Sequence, residues 1–190
     1  MSQSSSNAKQ DKPSVTVYLS LGSNEGAREE HVLAAAGLLS IQEHIDFVEL
    51  SPLYETEPEG TGYSRTFINA VAMLRTAIGP YRLLDICQRI EWELGRVRQS
   101  PDCDRAIDID IVLYGDLVMN DVRLELPHPR AVGRMFVLQP LFDIDPGAVF
   151  PPVGVSVGEL IGRSIGYGWV RRVSTRSVLS SNFLSSKDLD

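Results

Sequence analysis

The stretch Ile107-Asp-Ile-Asp-Ile-Val-Leu113 alternates apolar and acidic residues. A strict two-residue period reads as a β-strand with one covered face and one open face. Ile107, Ile109, Ile111 and Leu113 are expected on the covered side, and Asp108 and Asp110 on the open side. Two strand steps of about 3.3 Å put the two carboxylates roughly 6.6 Å apart. Aspartate is disfavoured in strands, so two in one strand call for a reason. Carboxylates this close repel unless a cation or a proton lies between them. A hard cation with oxygen ligands is one answer, and Mg²⁺ commonly takes one or two carboxylates together with substrate phosphates. A solvated polar strand face is the plain alternative.

Working outward, Val15-Thr-Val-Tyr-Leu-Ser-Leu21 has the same alternation and predicts a first strand, broken by Gly22-Ser-Asn-Glu-Gly26. Val32, Ala35, Ala36 and Leu39 recur at helical spacing and predict a helix over 28–40. Strands are expected over 45–54 and 67–75, separated by a polar loop. Gly79-Pro80 opens a second helix, since proline is tolerated in the first turn. The stripe Leu83, Leu84, Cys87, Ile90 and Leu94 continues it, and Gly95 is a stop. The order β-α-β-β-α-β predicts an α+β chain of the ferredoxin-like type, an antiparallel sheet with helices on one face. A hairpin over 117–126 and short helices over 135–142 and 156–161 are expected to follow. Residues 15–173 are read as one domain, with polar, Ser-rich tails at 1–14 and 174–190.

On the third strand Ile68, Ala70, Ala72 and Leu74 are expected to face the helices. Phe67 and Asn69 then share the open face with Asp108 and Asp110, and a ring and an amide there suit a flat polar heterocycle; Phe67 packing under a loop is the alternative. Arg96, Arg98 and Arg105 precede the carboxylate strand, and Arg123, Arg130 and Arg134 follow the hairpin. Guanidinium groups match phosphate oxygens bidentately, so this cluster points to a polyphosphate. His128, set between Pro127 and Pro129, is either structural or a phosphate hydrogen-bond donor. No Walker-type loop, nucleophile elbow or protein-kinase signature occurs.

The chain carries a formal net charge of −7, which disfavours general nucleic-acid or anionic-membrane binding. The first fourteen residues lack an apolar signal region, and no apolar run reaches the roughly 20 residues of a membrane span. Two cysteines, Cys87 and Cys103, form neither a disulfide framework nor a zinc pattern. A cytoplasmic protein is expected.

Taken together, Tyr18-Leu-Ser-Leu-Gly-Ser-Asn24, Ser51-Pro-Leu-Tyr-Glu-Thr-Glu-Pro58, Phe67-Ile-Asn-Ala-Val71, Gln88-Arg-Ile-Glu91, Gly95-Arg-Val-Arg98, Arg105 to Leu113, Leu126-Pro-His-Pro129 and Arg134-Met-Phe-Val-Leu138 resemble the 6-hydroxymethyl-7,8-dihydropterin pyrophosphokinase family. The resemblance implies the ferredoxin-like fold and transfer of pyrophosphate from ATP to a pterin, with release of AMP in folate biosynthesis. It implies that Asp108 and Asp110 bind two Mg²⁺ ions and that Arg96 and Arg105 act with them in catalysis. Arg98, Arg123, His128 and Arg134 would hold ATP, with Gln88, Glu91 and Ile111 at positions near the nucleotide. Phe67 and Phe136 would sandwich the pterin, whose edges Asn69 and the backbone near Thr56 would bond. A monomer or weak dimer is expected. The chain departs from the family pattern at Ser100-Pro-Asp-Cys-Asp104, where a basic residue and Gly-Pro are usual, and at Glu59 and Glu125. A pterin- or nucleotide-binding descendant without turnover is the competing expectation; a regulatory or RNA-binding module of the same fold ranks below it, because its sheet face would have to be basic and aromatic.

Overall fold

The computed structural model describes residues 14–58, 65–96, 104–163 and 168–173. Its elements, in chain order, are β1 (Val15–Ser23), α1 (Arg28–Ser40), β2 (Ile45–Leu50), β3 (Tyr54–Thr56), β4 (Phe67–Thr76), α2 (Pro80–Glu93), β5 (Asp108–Tyr114), β6 (Met119–Asn120), β7 (Glu125–Leu126), a 3₁₀ turn (Ala131–Gly133), α3 (Met135–Ile144), β8 (Val149–Phe150), β9 (Val155–Ser156), α4 (Val157–Arg163) and β10 (Val170–Arg172).

The main sheet is antiparallel, in the order β10-β3-β4-β1-β5, with β2 also paired to β4. The strand expected over 45–54 is therefore two pieces, β2 and β3, laid in turn along β4. Pro52 explains the break, because it has no N–H to give the ladder. Ser51 bridges the gap: its N–H donates to the Val71 carbonyl at 2.9 Å, and its Oγ accepts from the Val71 N–H at 2.9 Å. β10 was not anticipated. It extends the edge, with Val170 opposite Thr56 and Arg172 opposite Tyr54.

One face of the sheet carries the predicted apolar rows. Val17, Leu19 and Leu21 join Ile68, Ala70, Ala72, Leu74, Ile107, Ile109 and Ile111 under α1 and α2. Leu113 does not join them. The β1–β5 register passes from Leu19 opposite Ile111 to Tyr18 opposite Leu113, which leaves Val112 as an extra residue. Such a bulge turns the following side chain to the other face. Leu113 thus packs with Tyr18, Val71 and Val112 against Val137, Leu138 and Leu141 of α3. The second face is consequently half covered rather than open. α3 and α4 shield its apolar end, and the polar end around Asp108 and Asp110 is left as a cleft. Among the described residues no helix is long and apolar enough to cross a membrane.

Candidate functional site

Strand register builds the cleft floor. Asn69, Gly22 and Asp108 form one row across β4, β1 and β5, and Val71, Ser20 and Asp110 form the next. The row before them pairs Phe67 with Thr56 on β3. Directly opposed residues of an antiparallel pair share a face, so Phe67, Asn69, Asp108 and Asp110 look into the same space. That space is a cleft of about 320 Å³ lined also by Arg96, Arg105, Arg130, Arg134 and Phe136. Gly22 is required at its centre: a Cβ there would lie 2.8 Å from Asn69 Oδ1. Asn69 in turn donates from Nδ2 to Thr56 Oγ1 at 2.8 Å, which fixes the orientation of its amide.

Asp108 is held from both sides. Arg96 Nη1 donates to its Oδ1 at 2.5 Å, and Arg105 Nη2 pairs with its Oδ2 at 2.7 Å. Behind Arg96 lies Glu91 of α2, only 4% exposed. One Glu91 oxygen accepts from Arg96 Nη1 and, at 2.8 Å, from the Ile109 N–H of β5. Burial pushes the Glu91 carboxyl up, while Arg96 and the Ile109 N–H oppose the shift. Arg105 is placed by Asn24, a fully buried residue at the end of β1. Asn24 Oδ1 accepts from the Arg105 N–H at 2.8 Å, and Asn24 Nδ2 donates to Asp104 at 2.6 Å.

Asp110 opens to the cleft, with 44% of its side chain exposed. The cleft walls still desolvate it, and together with the neighbouring Asp108 charge they hold its carboxyl above the usual carboxylate range. A carboxyl in that state favours a cation beside it. His128 lies 3.9 Å from Asp110 Oδ2. Its N–H is fixed by the Val112 bulge, donating to the Val112 carbonyl at 3.0 Å. Burial, then the charges of Arg134 and Arg130, push the imidazole down, so it is neutral near pH 7. Its Nδ1 accepts from the Arg130 N–H at 3.2 Å, which leaves the proton on Nε2 as a donor toward the cleft. Each ring at the slot carries a cation: Arg105 lies over Phe67 at 5.8 Å and Arg134 over Phe136 at 5.2 Å.

Of the residues singled out from sequence, Thr56, Phe67, Asn69, Arg96, Arg105, Asp108, Asp110, Arg134 and Phe136 line the one cleft, and Glu91 and His128 stand directly behind it. Three do not reach it. Gln88 is exposed on α2. Arg123 is exposed and paired with Asp85 at 2.7 Å. The Ile111 side chain is in the core, so only its backbone could meet a ligand. Arg98 and Glu59, with the departing loop up to Cys103, lie outside the described residues; Glu125 is exposed on β7. Ser20, Gly22 and Glu57 line the cleft without having been singled out. The alternation of β1, with Val17, Leu19 and Leu21 inward, is a signal that places Ser20 on the carboxylate side; Gly22, read from sequence as the break in the strand, lies within it, since β1 runs to Ser23.

Asp108 and Asp110 offer hard oxygen donors, but among the described residues no group of three or more His, Cys, Asp or Glu could enclose an ion. The donor set therefore fits a cation that completes its shell with phosphate oxygens, as Mg²⁺ does. Paired carboxylates, guanidinium groups and two phenylalanine rings thus line one cleft, an arrangement that suits a polyphosphate beside a flat ring.

Residues 18–146 match the model of the 7,8-dihydro-6-hydroxymethylpterin-pyrophosphokinase (HPPK) family. The chain is 45% identical over 135 residues to the 2-amino-4-hydroxy-6-hydroxymethyldihydropteridine pyrophosphokinase of Porphyromonas gingivalis, covering 68% of this chain and 90% of that one. The Haemophilus influenzae protein of the same name is 39% identical over 137 residues, 72% and 86% of the two chains. The folic acid synthesis protein fol1 of Pneumocystis carinii is 43% identical over 143 residues, 75% of this chain but 19% of that one, so the chain spans about a fifth of the fungal relative's length. In fold it is similar to Plasmodium falciparum HPPK-DHPS, with a TM-score of 0.64 at 14% identity, covering 80% of this chain and 44% of that one. The chain belongs to the HPPK family.

Proposed function

We propose that this chain transfers the β,γ-pyrophosphoryl group of ATP to the hydroxymethyl oxygen of 6-hydroxymethyl-7,8-dihydropterin and releases AMP, a step of folate biosynthesis. The observation that carries this reading is that Asp108 and Asp110 line the same cleft as Phe67 and Phe136, the two rings read as the walls of a slot. The sheet order suits the ferredoxin-like arrangement, in which β2 and β3 together take the place of one strand. The pterin lies in the slot, its edge bonded by Asn69 and by the β3 backbone near Thr56.

Asp108 and Asp110 hold Mg²⁺, as two ions. When bound, Mg²⁺ neutralises the triphosphate and polarises the phosphorus under attack. Arg96 and Arg105, resting on Asp108, lie where they can turn from carboxylate to phosphate oxygens. His128 donates from Nε2, and Arg134 adds positive charge over the Phe136 side. Little covalent chemistry is asked of the protein; orientation and charge neutralisation do most of it. Arg98 and the backbone of Ile111 are further nucleotide contacts on this reading, whereas Gln88 and Arg123 reach ATP only if it extends past the cleft rim. The reading carries with it a cytoplasmic enzyme, monomeric or weakly dimeric, with no nucleic-acid or membrane partner.

The test is direct. The protein is mixed with ATP, Mg²⁺ and the hydroxymethyl pterin, and the nucleotide products are separated. AMP equimolar with pyrophosphorylated pterin is expected. ADP, or no turnover despite binding of both substrates, would refute the proposal and favour a binding-only descendant.

Gly22→Ala tests the slot. Its methyl group would press on Asn69 Oδ1 from 2.8 Å and displace the amide. Loss of a well-made polar contact of this kind corresponds to roughly a tenfold rise in KM for the pterin. The KM for ATP should stay near wild type, and steady-state kinetics with each substrate varied in turn measures both.

A further inference from the structure

The heterocycle slot does not end at Phe136. A second cavity of about 190 Å³ adjoins it and shares Thr56, Glu57, Arg134 and Phe136 as common walls. Trp169, the residue just before β10, also lines it. Residues 168–173 lie outside the segment matched by the family, which stops at residue 146.

The segment bearing Trp169 is firmly tied. Val170, Arg171 and Arg172 pair with Thr56, Glu55 and Tyr54, and the Val173 N–H donates to the Leu53 carbonyl at 2.8 Å. Arg171 forms an ion pair with Glu55 and lies 6.0 Å over the Trp169 ring. The Trp169 N–H donates to Glu57 Oε1 at 3.2 Å. Gly168 lets Glu57 come that close, since a Cβ at residue 168 would lie 2.8 Å from the same oxygen. Yet Trp169 remains 46% exposed. A half-exposed tryptophan on a tethered backbone at the rim of a cleft has contact area to give a ligand, and with two side-chain torsions it does so at low cost in entropy. A cavity of about 150 Å³ is enough to hold one benzene ring, so the adjoining space can receive the edge of a flat ring that emerges from the slot.

We propose that Trp169 is a substrate-contacting residue: β10 delivers its indole to the open side of the slot, where it packs on the part of the flat heterocycle that Phe67 and Phe136 leave uncovered. This rests on the reading of the slot as the pterin site. Glu57 acts through Trp169, as the latch that holds the segment in place, and is a positioning residue.

The test uses the full chain with Trp92→Phe as background, which leaves Trp169 as the single tryptophan; Trp92 lies 75% exposed on α2. In that background Trp169→Ala should raise the pterin KM about fivefold, the worth of one aromatic contact, with the KM for ATP within about twofold of the parent. Trp169→Phe, which keeps a ring, should restore most of the affinity. Indole emission of the parent should be quenched saturably by the pterin in the presence of Mg²⁺ and a non-hydrolysable ATP analogue. A folded Trp169→Ala protein with unchanged pterin KM, or emission blind to bound pterin, would overturn the proposal. If Trp169→Ala fails to fold, the phenylalanine variant and the emission titration decide. If the parent binds the pterin without turnover, the reading of the activity fails, while the emission titration still reports whether the pterin binds near Trp169, and the pterin Kd of the alanine and phenylalanine variants reports whether the ring is touched.

Discussion

Asp110→Asn is expected to lower AMP release by about a thousandfold while leaving the melting temperature unchanged or slightly raised. The rate follows from the site. Asp110 is the more exposed carboxylate of the pair, at 44% of its side chain against 18% for Asp108, which Arg96 and Arg105 take up. It is therefore the group most available to an incoming cation. Removing a group that stabilises the charge of a transition state in such a site reduces turnover by about 10²–10³, and loss of a metal clamp costs several kcal/mol. The stability follows from the same geometry. Burial and Asp108 both disfavour the Asp110 charge in the metal-free protein, so a neutral side chain of equal shape removes a repulsion. Parallel assays of AMP release and thermal unfolding by circular dichroism check both halves. Activity within tenfold of wild type would contradict the metal assignment.

Glu91→Ala should destabilise the fold by about 3 kcal/mol, the usual cost of removing one partner from a buried ion pair. Two groups are affected at once: the guanidinium of Arg96 keeps only Asp108 of its two carboxylates, and the Ile109 N–H of β5 loses its Glu91 acceptor. The vacancy falls between α2 and the strand that carries both aspartates, so the damage reaches the site. Glu91→Gln keeps an acceptor for Ile109 and should lose less. Urea unfolding of both variants measures the difference. Equal stability of Glu91→Ala and wild type would mean that the bond between helix and strand carries no weight. Activity should fall as well, because Arg96 loses the carboxylate that aims it at Asp108.

Much of this was legible in the sequence where a single period governs a segment. The alternation of Val17, Leu19 and Leu21, and of Ile107, Ile109 and Ile111, named the buried rows. By exclusion it put Asp108, Asp110, Phe67 and Asn69 on one face, and the register brings them to one cleft. Helix α1 has the residue range the spacing predicts. The pattern failed where the period breaks. Nothing in Ile111-Val112-Leu113 announces that Val112 bulges and Leu113 changes face, since all three are apolar and fit either side. That bulge in turn gives His128 its backbone anchor. β10 is three residues long, and its Val-Arg-Arg sequence has no period at all; only pairing with β3 makes it a strand. The roles of Asn24 and Glu91 were hidden for another reason. A polar residue reads as exposed until its partners are known, and two of those partners, Arg105 for Asn24 and Ile109 for Glu91, are distant in sequence. Arg123 shows the converse: its residue type suits phosphate, but a nearby Asp85 engages it away from the cleft.

The central claim is that Asp108 and Asp110 anchor divalent-bound ATP against the heterocycle slot. A crystal structure with Mg²⁺, a non-hydrolysable ATP analogue and the hydroxymethyl pterin tests it most directly. The account predicts metal density about 2.1 Å from carboxylate oxygens of both aspartates, the usual Mg²⁺–oxygen distance, with the pterin between Phe67 and Phe136. Nucleotide bound elsewhere, or a metal held by phosphates alone with both aspartates still turned to Arg96, Arg105 or solvent, would contradict it.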